Sequence, residues 1–398
     1  MNPKIAVIGQ GYVGLPLAIT SAEAGYSVYG IDLDVNKVKS ISTGHSNIED
    51  VSTERIVSQI KSGRYSISSD YSQVSNCKIV VICVPTPLDS DQKPDLSYVL
   101  HTATEISKHL KSETLVILES TVAPGTTRNV LIPALLKNSS LTPEQIDVAF
   151  SPERIDPTNS VWGLNKTPKI VSGFSESAKR KAIQFYSKFI ETLIECDSLE
   201  IAETSKLLEN SFRLINISFI NQISIFCSKL GIDVNKVISA ASTKPYGFMP
   251  FFPSLGVGGH CIPVDPVYLS HKAGEIGASV SLIDLAIKVN HDMPNFFIQQ
   301  AESLLGELED KKILVVGVAY KANISDVRET PVEALITGLR LKKAAVFWHD
   351  DLVQKWNGEE SSSLGIQCDL AIIATPHDYI DLTKIKSNKI LSTRSSVL

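Results

Sequence analysis

No two cysteines form a CxxC pair. The six present, Cys77, Cys83, Cys196, Cys227, Cys261 and Cys368, are irregularly spaced. A zinc ribbon or a disulfide framework is therefore not expected, and no metal site is predicted. No apolar run approaches the ~20 residues of a membrane-spanning helix; Ile79–Val84 is among the longest. No basic block occurs, and 38 Lys and Arg against 43 Asp and Glu give a net charge of -5, so neither nucleic acid nor a membrane is an expected partner. No signal-peptide pattern opens the chain, since Met1-Asn2-Pro3-Lys4 leads straight into a strand-like segment. What remains is a chain of 398 residues, 43% hydrophobic, enough for roughly two or three packed domains. A soluble, cytoplasmic, mixed α/β protein is expected.

Lys4–Gly9 and Ser27–Asp32 read as buried strands with a helix-length stretch between them. Cys77–Val84 and Thr114–Glu119 continue the pattern, with Cys77 and Cys83 as buried strand residues. Strands alternating with helices imply a parallel sheet. Asp147–Phe150 and Ile170–Gly173 are predicted as edge strands. Ser198–Leu230 keeps a helical period with no Pro or Gly, which predicts one long helix. Pro245–Pro266 is dense in Pro and Gly and reads as an ordered loop. Val280–Leu305 is helical again, with Pro294 expected to interrupt it. Lys312–Val318, Ala344–Trp348 and Leu370–Ala374 start a second strand–helix pattern, with Glu359–Ser363 as a solvated loop. The predicted fold is two Rossmann-like, doubly wound parallel-sheet domains joined by an all-helical middle. The predicted boundaries are 1–197, 198–306 and 307–398.

Gly9-Gln10-Gly11-Tyr12-Val13-Gly14 follows the first strand and opens the first helix. Alone, a GxGxxG is a weak signal, but this context is the one the dinucleotide fingerprint requires. Gly9 allows the tight turn, Gly11 the approach of a pyrophosphate, and Gly14 close packing of helix on strand. Asp32 ends the second strand 18 residues after Gly14, where a carboxylate binds ribose hydroxyls. Leu33-Asp34 follows, with no Arg to hold a 2′-phosphate, so NAD is favoured over NADP. The alternative is a glycine turn with a surface aspartate. Gly317-Val318-Ala319-Tyr320-Lys321 repeats the strand-to-helix turn with one glycine only, which argues against a second dinucleotide there.

Gly256-Val257-Gly258-Gly259-His260-Cys261-Ile262-Pro263-Val264-Asp265-Pro266 is the most unusual stretch. Such a loop can present a thiol at a fixed angle; a structural turn with an incidental cysteine is the alternative. Asp265 could hold water or accept a proton. Lys206 and Asn210 stand at i and i+4 on one face of the long helix. A lysine near Cys261 would favour the thiolate and stabilise an oxyanion. Leu207, Leu208, Phe212 and Leu214 suggest that this stretch is buried. Val84-Pro85-Thr86-Pro87, Glu119-Ser120-Thr121 and Ser151-Pro152-Glu153-Arg154 each follow a strand, at the edge where dinucleotides bind. Glu153 is a candidate acid/base.

GQGYVGLP, VPTP, ESTVAPGTT, SPERIDPTN, AETSKLLENSFRLINISFIN, GVGGHCIPVDP and GVAYKANISDVRETP occur in this order. Together they resemble the UDP-glucose/GDP-mannose dehydrogenase family over nearly the whole chain. SPERIDPTN, WGLNKTPKIVSG and TKPYGFMPFFPSLGVGGHCIPVDP look most like members that act on UDP-N-acetylglucosamine, with UDP-N-acetylmannosamine and UDP-glucose enzymes as near neighbours. The family oxidises a sugar C6 alcohol to a carboxylate in two NAD-dependent steps. The resemblance implies that Cys261 is the nucleophile and Lys206 the oxyanion-stabilising lysine. Asn210 and Asp265 would place the C6 oxygen and water, Glu153 would do acid/base work on the thioester, and Thr121 would lie at the nicotinamide. Asp32, Lys37, Thr86 and Arg328, with the Gly9–Gly14 turn including Tyr12 and Val13, would contact NAD. Pro250, Phe251, Phe252, Pro253, Ser254, Gly258 and Lys321 would contact the UDP-sugar, together with Glu153, Lys206 and Asn210. A homodimer through the long helix is implied.

The chain departs from the family's pattern at Pro253-Ser254-Leu255-Gly256. It also has Lys244 and no Arg between Ala240 and Cys261, and Ser392 where an acid is usual. The chemistry explains the cysteine. An aldehyde becomes a good hydride donor only after a nucleophile adds, and a thiolate adduct oxidises to a thioester that water can hydrolyse. Two other classes fit parts of the pattern: a two-electron NAD dehydrogenase on the same long-helix plan, and a catalytically silent nucleotide-binding protein.

Overall fold

The computed structural model describes residues 3–46, 48, 51–155 and 161–394. Residues 156–159 of the SPERIDPTN motif lie outside them. Contacts divide the chain into two compact units, Met1–Leu208 and Glu209–Leu398, and the division falls within the long helix.

In the first unit, Val- and Ile-rich runs with no alternation build a sheet buried on both faces, as parallel strands require. The strands are β1 (Lys4–Ile8), β2 (Ser27–Ile31), β3 (Tyr65–Ser68), β4 (Ile79–Ile82), β5 (Leu115–Leu118), β6 (Asp147–Phe150), β7 (Lys169–Gly173) and β8 (Leu193–Glu195). Their order is β3-β2-β1-β4-β5-β6-β7-β8. The order reverses between β1 and β4, which makes the carboxyl ends of these two strands a topological switch point. Apolar clusters cover both faces of the sheet; Ile5, Val7 and Leu15 lie in one and Ala6, Ile8 and Val80 in the other. Neither β6 nor β7 is an edge strand, contrary to expectation. The short β8, Leu-Ile-Glu and largely exposed, adds outside β7 and takes the edge. β7 runs antiparallel to β6, within an otherwise parallel sheet.

The long helix, Leu199–Leu230, has 32 residues and spans ~48 Å at 1.5 Å per residue. It matches the predicted helix, but its apolar side chains divide. Leu207 and Leu214 are buried, whereas Leu208 is 61% and Phe212 48% exposed. A helix packed on one side keeps a second apolar face outward, so apolar content alone overstated its burial.

In the second unit, the helix Ser281–Leu305 runs through Pro294 without a break. Proline removes only the bond to the carbonyl four residues back, that of Asn290, and the packed faces on either side hold the helix together. Met293, Phe297 and Ala301 bury that side. The second sheet, β10-β9-β13-β14, is all parallel and joins β9 (Lys312–Val316), β10 (Ala345–His349), β13 (Leu370–Ile373) and β14 (Ile390–Ser392). The stretch read as a plain loop contributes a short exposed strand, β12 (Glu359–Glu360), which pairs with β11 (Lys355–Trp356). No helix among the described residues is long and apolar enough to cross a membrane.

Candidate active site

The first unit collects the predicted dinucleotide groups, Arg328 of the second unit excepted, at one edge of its sheet. Gly9 turns at φ +88°, and a Cβ there would lie 2.6 Å from the Cys83 carbonyl oxygen. A Cβ on Gly14 would lie 1.8 Å from the Gly9 carbonyl oxygen, while one on Gly11 would meet nothing within 4 Å. The first helix (Gly14–Glu23) starts without a side-chain cap and with no acid in its first turn. Its free N–H groups and dipole suit a diphosphate. Tyr12 is exposed beside this turn.

Asp32 sits just beyond β2. One oxygen accepts from the Gln10 N–H at 2.8 Å and from Lys37 Nζ at 2.8 Å; the other accepts from the Asp34 N–H at 3.0 Å. The carboxylate is thus aimed along the glycine turn, with Lys37 closing its outer side. These are the groups an adenosine ribose and pyrophosphate need, so the residues present fit NAD.

Thr86 follows β4, Thr121 follows β5 and Glu153 follows β6, and all three are half-buried. Ser120 Oγ donates to the Val84 carbonyl at 2.6 Å and ties the first two loops together. Glu153 Oε1 accepts from the N–H groups of Arg154 at 2.5 Å and Ile155 at 2.7 Å. Lys206 is buried on the long helix and makes no ion pair among the described residues. One turn earlier, the buried Glu203 accepts from the Gly125 N–H at 2.6 Å and the Thr127 N–H at 2.9 Å. It therefore anchors the loop after Thr121 to the helix that carries Lys206. Burial pushes the Glu203 carboxyl up, and the N–H donors pull the other way. Glu203 was not picked out from sequence; the only signal was an acid inside an apolar helical stretch.

The second unit brings Asn210, Cys261 and Asp265 together. Cys261 is exposed, and its carbonyl accepts from the N–H groups of Val264 and Asp265, turning the chain into the helix Asp265–Glu275. Asp265 is buried, and the Asn210 amide donates to it at 2.5 Å. The loop before the cysteine is held by two asparagines that the sequence reading passed over. Asn290 accepts from the Val257 N–H at 2.7 Å and donates to its carbonyl at 3.1 Å, and Asn221 accepts from the Ser254 N–H at 2.9 Å. Phe251 packs edge-on against Phe212 at 6.0 Å, while Phe252 is exposed and Pro253 buried. Pro250 is exposed beside them.

Glycine is required at 258 and 259 because Tyr320 lies against them. A Cβ on Gly258 would meet the Tyr320 Cβ at 2.7 Å, and one on Gly259 its ring at 2.8 Å. The Gly259 N–H also donates to the Arg328 carbonyl at 3.2 Å. The cysteine loop therefore rests on the Tyr320–Lys321 turn, with Lys321 half-buried next to it. The Arg328 side chain pairs with Asp326.

The turn at Gly317 repeats the geometry at Gly9, with φ +82°. Asp350 takes the place of Asp32, accepting from the Val318 N–H at 2.9 Å. Its carboxylate is also occupied by the N–H groups of Leu352 and Val353 and by His377 Nε2 at 3.0 Å, with the Asp350 and His377 side chains out of water. It has no face left for a ribose.

The NAD-binding domain of the UDP-glucose/GDP-mannose dehydrogenase family matches residues 3–190, its central domain 200–292 and its UDP-binding domain 314–397. The chain belongs to this family. It is an NAD-dependent nucleotide-sugar dehydrogenase. It is 34% identical to the UDP-N-acetyl-D-glucosamine 6-dehydrogenase of Salmonella typhi, over 83% of this chain and 77% of that one. It is 33% identical to the UDP-N-acetyl-D-mannosamine dehydrogenase of Pyrococcus horikoshii, over 94% of this chain and 89% of the relative. The solved UDP-D-ManNAc dehydrogenase structure from Pyrococcus horikoshii superposes with a TM-score of 0.89 at 29% identity, covering 99% of this chain and 96% of that one.

Proposed function

We propose that this dehydrogenase oxidises the C6 hydroxyl of UDP-N-acetylglucosamine to the carboxylate, using two NAD and one water and passing through a covalent adduct on Cys261. The product would feed surface polysaccharide synthesis. The observation that carries the proposal is the exposed Cys261 thiol at the head of the turn that delivers Asp265 to Asn210. A two-electron dehydrogenase has no use for that thiol.

Bound NAD supplies the hydride acceptor for both oxidations. Asn210 and Asp265 hold the C6 oxygen and a water that takes the hydroxyl proton. Once the aldehyde forms, the Cys261 thiolate adds to its carbon, a C–S bond forms and the oxygen becomes negative. The Lys206 ammonium stabilises that oxygen; such a donor is worth ~10²–10³-fold. Departure of a second hydride from the same carbon leaves the thioester. Glu153 then takes a proton from water as the water oxygen adds to the thioester carbon, the C–S bond breaks and the thiolate leaves. General-base help of this kind contributes ~10²–10⁴-fold. Thr86, Thr121 and Arg328 serve the cofactor, and Lys321, Gly258 and residues 250–254 serve the UDP-sugar. The domain division 1–197, 198–306 and 307–398 is part of the same proposal.

The protein is further proposed to act as a cytoplasmic homodimer. Ile201, Leu208, Phe212, Phe219, Phe226 and Leu230 are between 48% and 61% exposed. Their spacings of seven and four residues put them on one narrow stripe of the long helix, the pattern of a helix–helix seam.

UDP-N-acetylmannosamine is the second reading, favoured by the mannosamine-named relatives in sequence and structure. NADH formation with UDP-N-acetylglucosamine, UDP-N-acetylmannosamine and UDP-glucose tests the assignment. The highest kcat/KM is expected with the first, and preference for another would overturn the sugar assignment alone.

A further inference from the structure

Behind Glu153 lies a buried charge cluster with no part in the scheme above. The Lys169 side chain at the start of β7 is 5% exposed. Its Nζ stands 3.3 Å from Glu119 Oε1 and 3.5 Å from Glu153 Oε2, and lies 5.0 Å from the centre of the Tyr186 ring. Glu119, at the end of β5, is fully buried; the Tyr186 hydroxyl donates to its Oε1, and its Oε2 has no hydrogen-bond partner among the described residues. Two carboxyl groups therefore share one ammonium.

One lysine cannot neutralise two ionised acids in a dry site, so their environments decide how the charge divides. Glu119 is out of water, whereas the Glu153 side chain is 15% exposed and lines a small pocket with Pro152, Arg154, Leu164 and Lys169. Burial, and then the charge of Glu153, push the Glu119 carboxyl up against the pull of Lys169. Burial works against the Lys169 ammonium, but Glu119 and Glu153 outweigh it and hold the proton on. The neighbouring thiol and phenol carry no competing charge. Burial drives the Cys83 thiol well up, so it stays neutral, and the Tyr186 hydroxyl is likewise neutral. The Arg154 guanidinium donates to the Pro168 carbonyl at 2.8 Å.

We propose that Lys169 is a positioning residue for this reaction: its ammonium, 3.5 Å from Glu153 Oε2, aims that carboxylate, and Glu119, 3.3 Å from the same ammonium, competes with Glu153 for it. Two backbone N–H groups fix one oxygen of Glu153, and among the described residues Lys169 is the cation that faces the other. The inference rests on Glu153 acting as the base of thioester hydrolysis.

The pH profile of uronate formation from UDP-N-acetylglucosamine separates this role from packing. In Lys169→Met the acid limb is expected to move up by about one pH unit, with roughly tenfold loss on its acid side, and the Cys261 acyl adduct should accumulate. Lys169→Arg should restore the native profile. In Glu119→Gln, which removes the competing charge with little change of shape, the limb should move down. Opposite movements support the proposal. Equal losses at every pH, with the limb unmoved, would overturn it. If the native enzyme turns over none of the three UDP-sugars, the functional reading falls. The pairing is then read from urea denaturation of Lys169→Met, Glu153→Gln and the double variant. Non-additive effects support the pairing, and additive ones overturn it.

Discussion

The Asn210 amide donates to the Asp265 carboxylate at 2.5 Å, joining the long helix to the helix that begins after Cys261. A side chain 55 positions away thus fixes the acid that sits four residues past the thiol. Asn210→Ala leaves the buried Asp265 without that donor. We expect kcat for uronate formation to fall on the order of 10²-fold, as for other small displacements of reacting groups. Tight NAD binding should persist, checked by fluorescence titration. Equal losses in kcat and NAD affinity would assign Asn210 to overall folding.

Lys206 is buried and makes no ion pair among the described residues, and it is proposed to meet the developing oxyanion. Lys206→Ala is expected to lose ~10²–10³-fold in kcat with little change in NAD affinity. A matching loss of NAD affinity would make it a binding residue.

The Asp32 carboxylate is held by the Gln10 N–H and Lys37 as though waiting for a diol. Asp32→Asn keeps the shape but loses the charge. We expect KM for NAD to rise roughly tenfold, consistent with loss of a charged hydrogen bond worth ~1.5–3 kcal/mol, with KM for the sugar nucleotide unchanged. A rise confined to the sugar nucleotide would contradict the placement of the cofactor.

Glu203 carries a sign that can be read without substrate. Burial holds its folded carboxyl above the usual range, so the folded state keeps a proton that the unfolded chain releases. Its contribution to stability is present at low pH and is lost as pH rises above the ordinary carboxylate range near ~4.3. Glu203→Gln keeps an acceptor oxygen for one of the two N–H groups, turns an N–H donor toward the other, and cannot titrate. Its unfolding midpoint in urea should fall less between pH 5 and pH 8 than that of the native protein. An identical fall in both would show that Glu203 plays no part in the pH response.

Much of this was legible because the relevant signals are local. Gly9, Gly14 and Asp32 are fixed by backbone sterics and a strand end, which a sequence displays directly. The family's ordered motifs pointed to Cys261, Lys206 and Asn210, whose roles are proposals. The misses arise where long-range packing decides. β6 and β7 looked like edge strands because nothing local announces the three-residue β8 beyond them. Leu208 and Phe212 looked buried because composition does not say which of two apolar faces of a helix meets its own chain. Asn221, Asn290 and Glu203 escaped notice because each is defined by a backbone N–H brought to it from elsewhere in the chain.

The outward stripe on the long helix makes its own test. Phe219→Glu places a charge at its centre while leaving the buried face intact. Sedimentation should show a dimer for the native protein and a monomer for the variant. A native monomer would remove the stripe from the account.

The central claim is that one chain carries out both oxidations through Cys261. Counting NADH formed per UDP-N-acetylglucosamine consumed, in the native protein and in Cys261→Ser, tests it most directly. Two NADH and a uronate from the native protein, with no uronate from a variant that still binds NAD, is the predicted result. One NADH with an aldehyde product, or full uronate formation without the thiol, would contradict it.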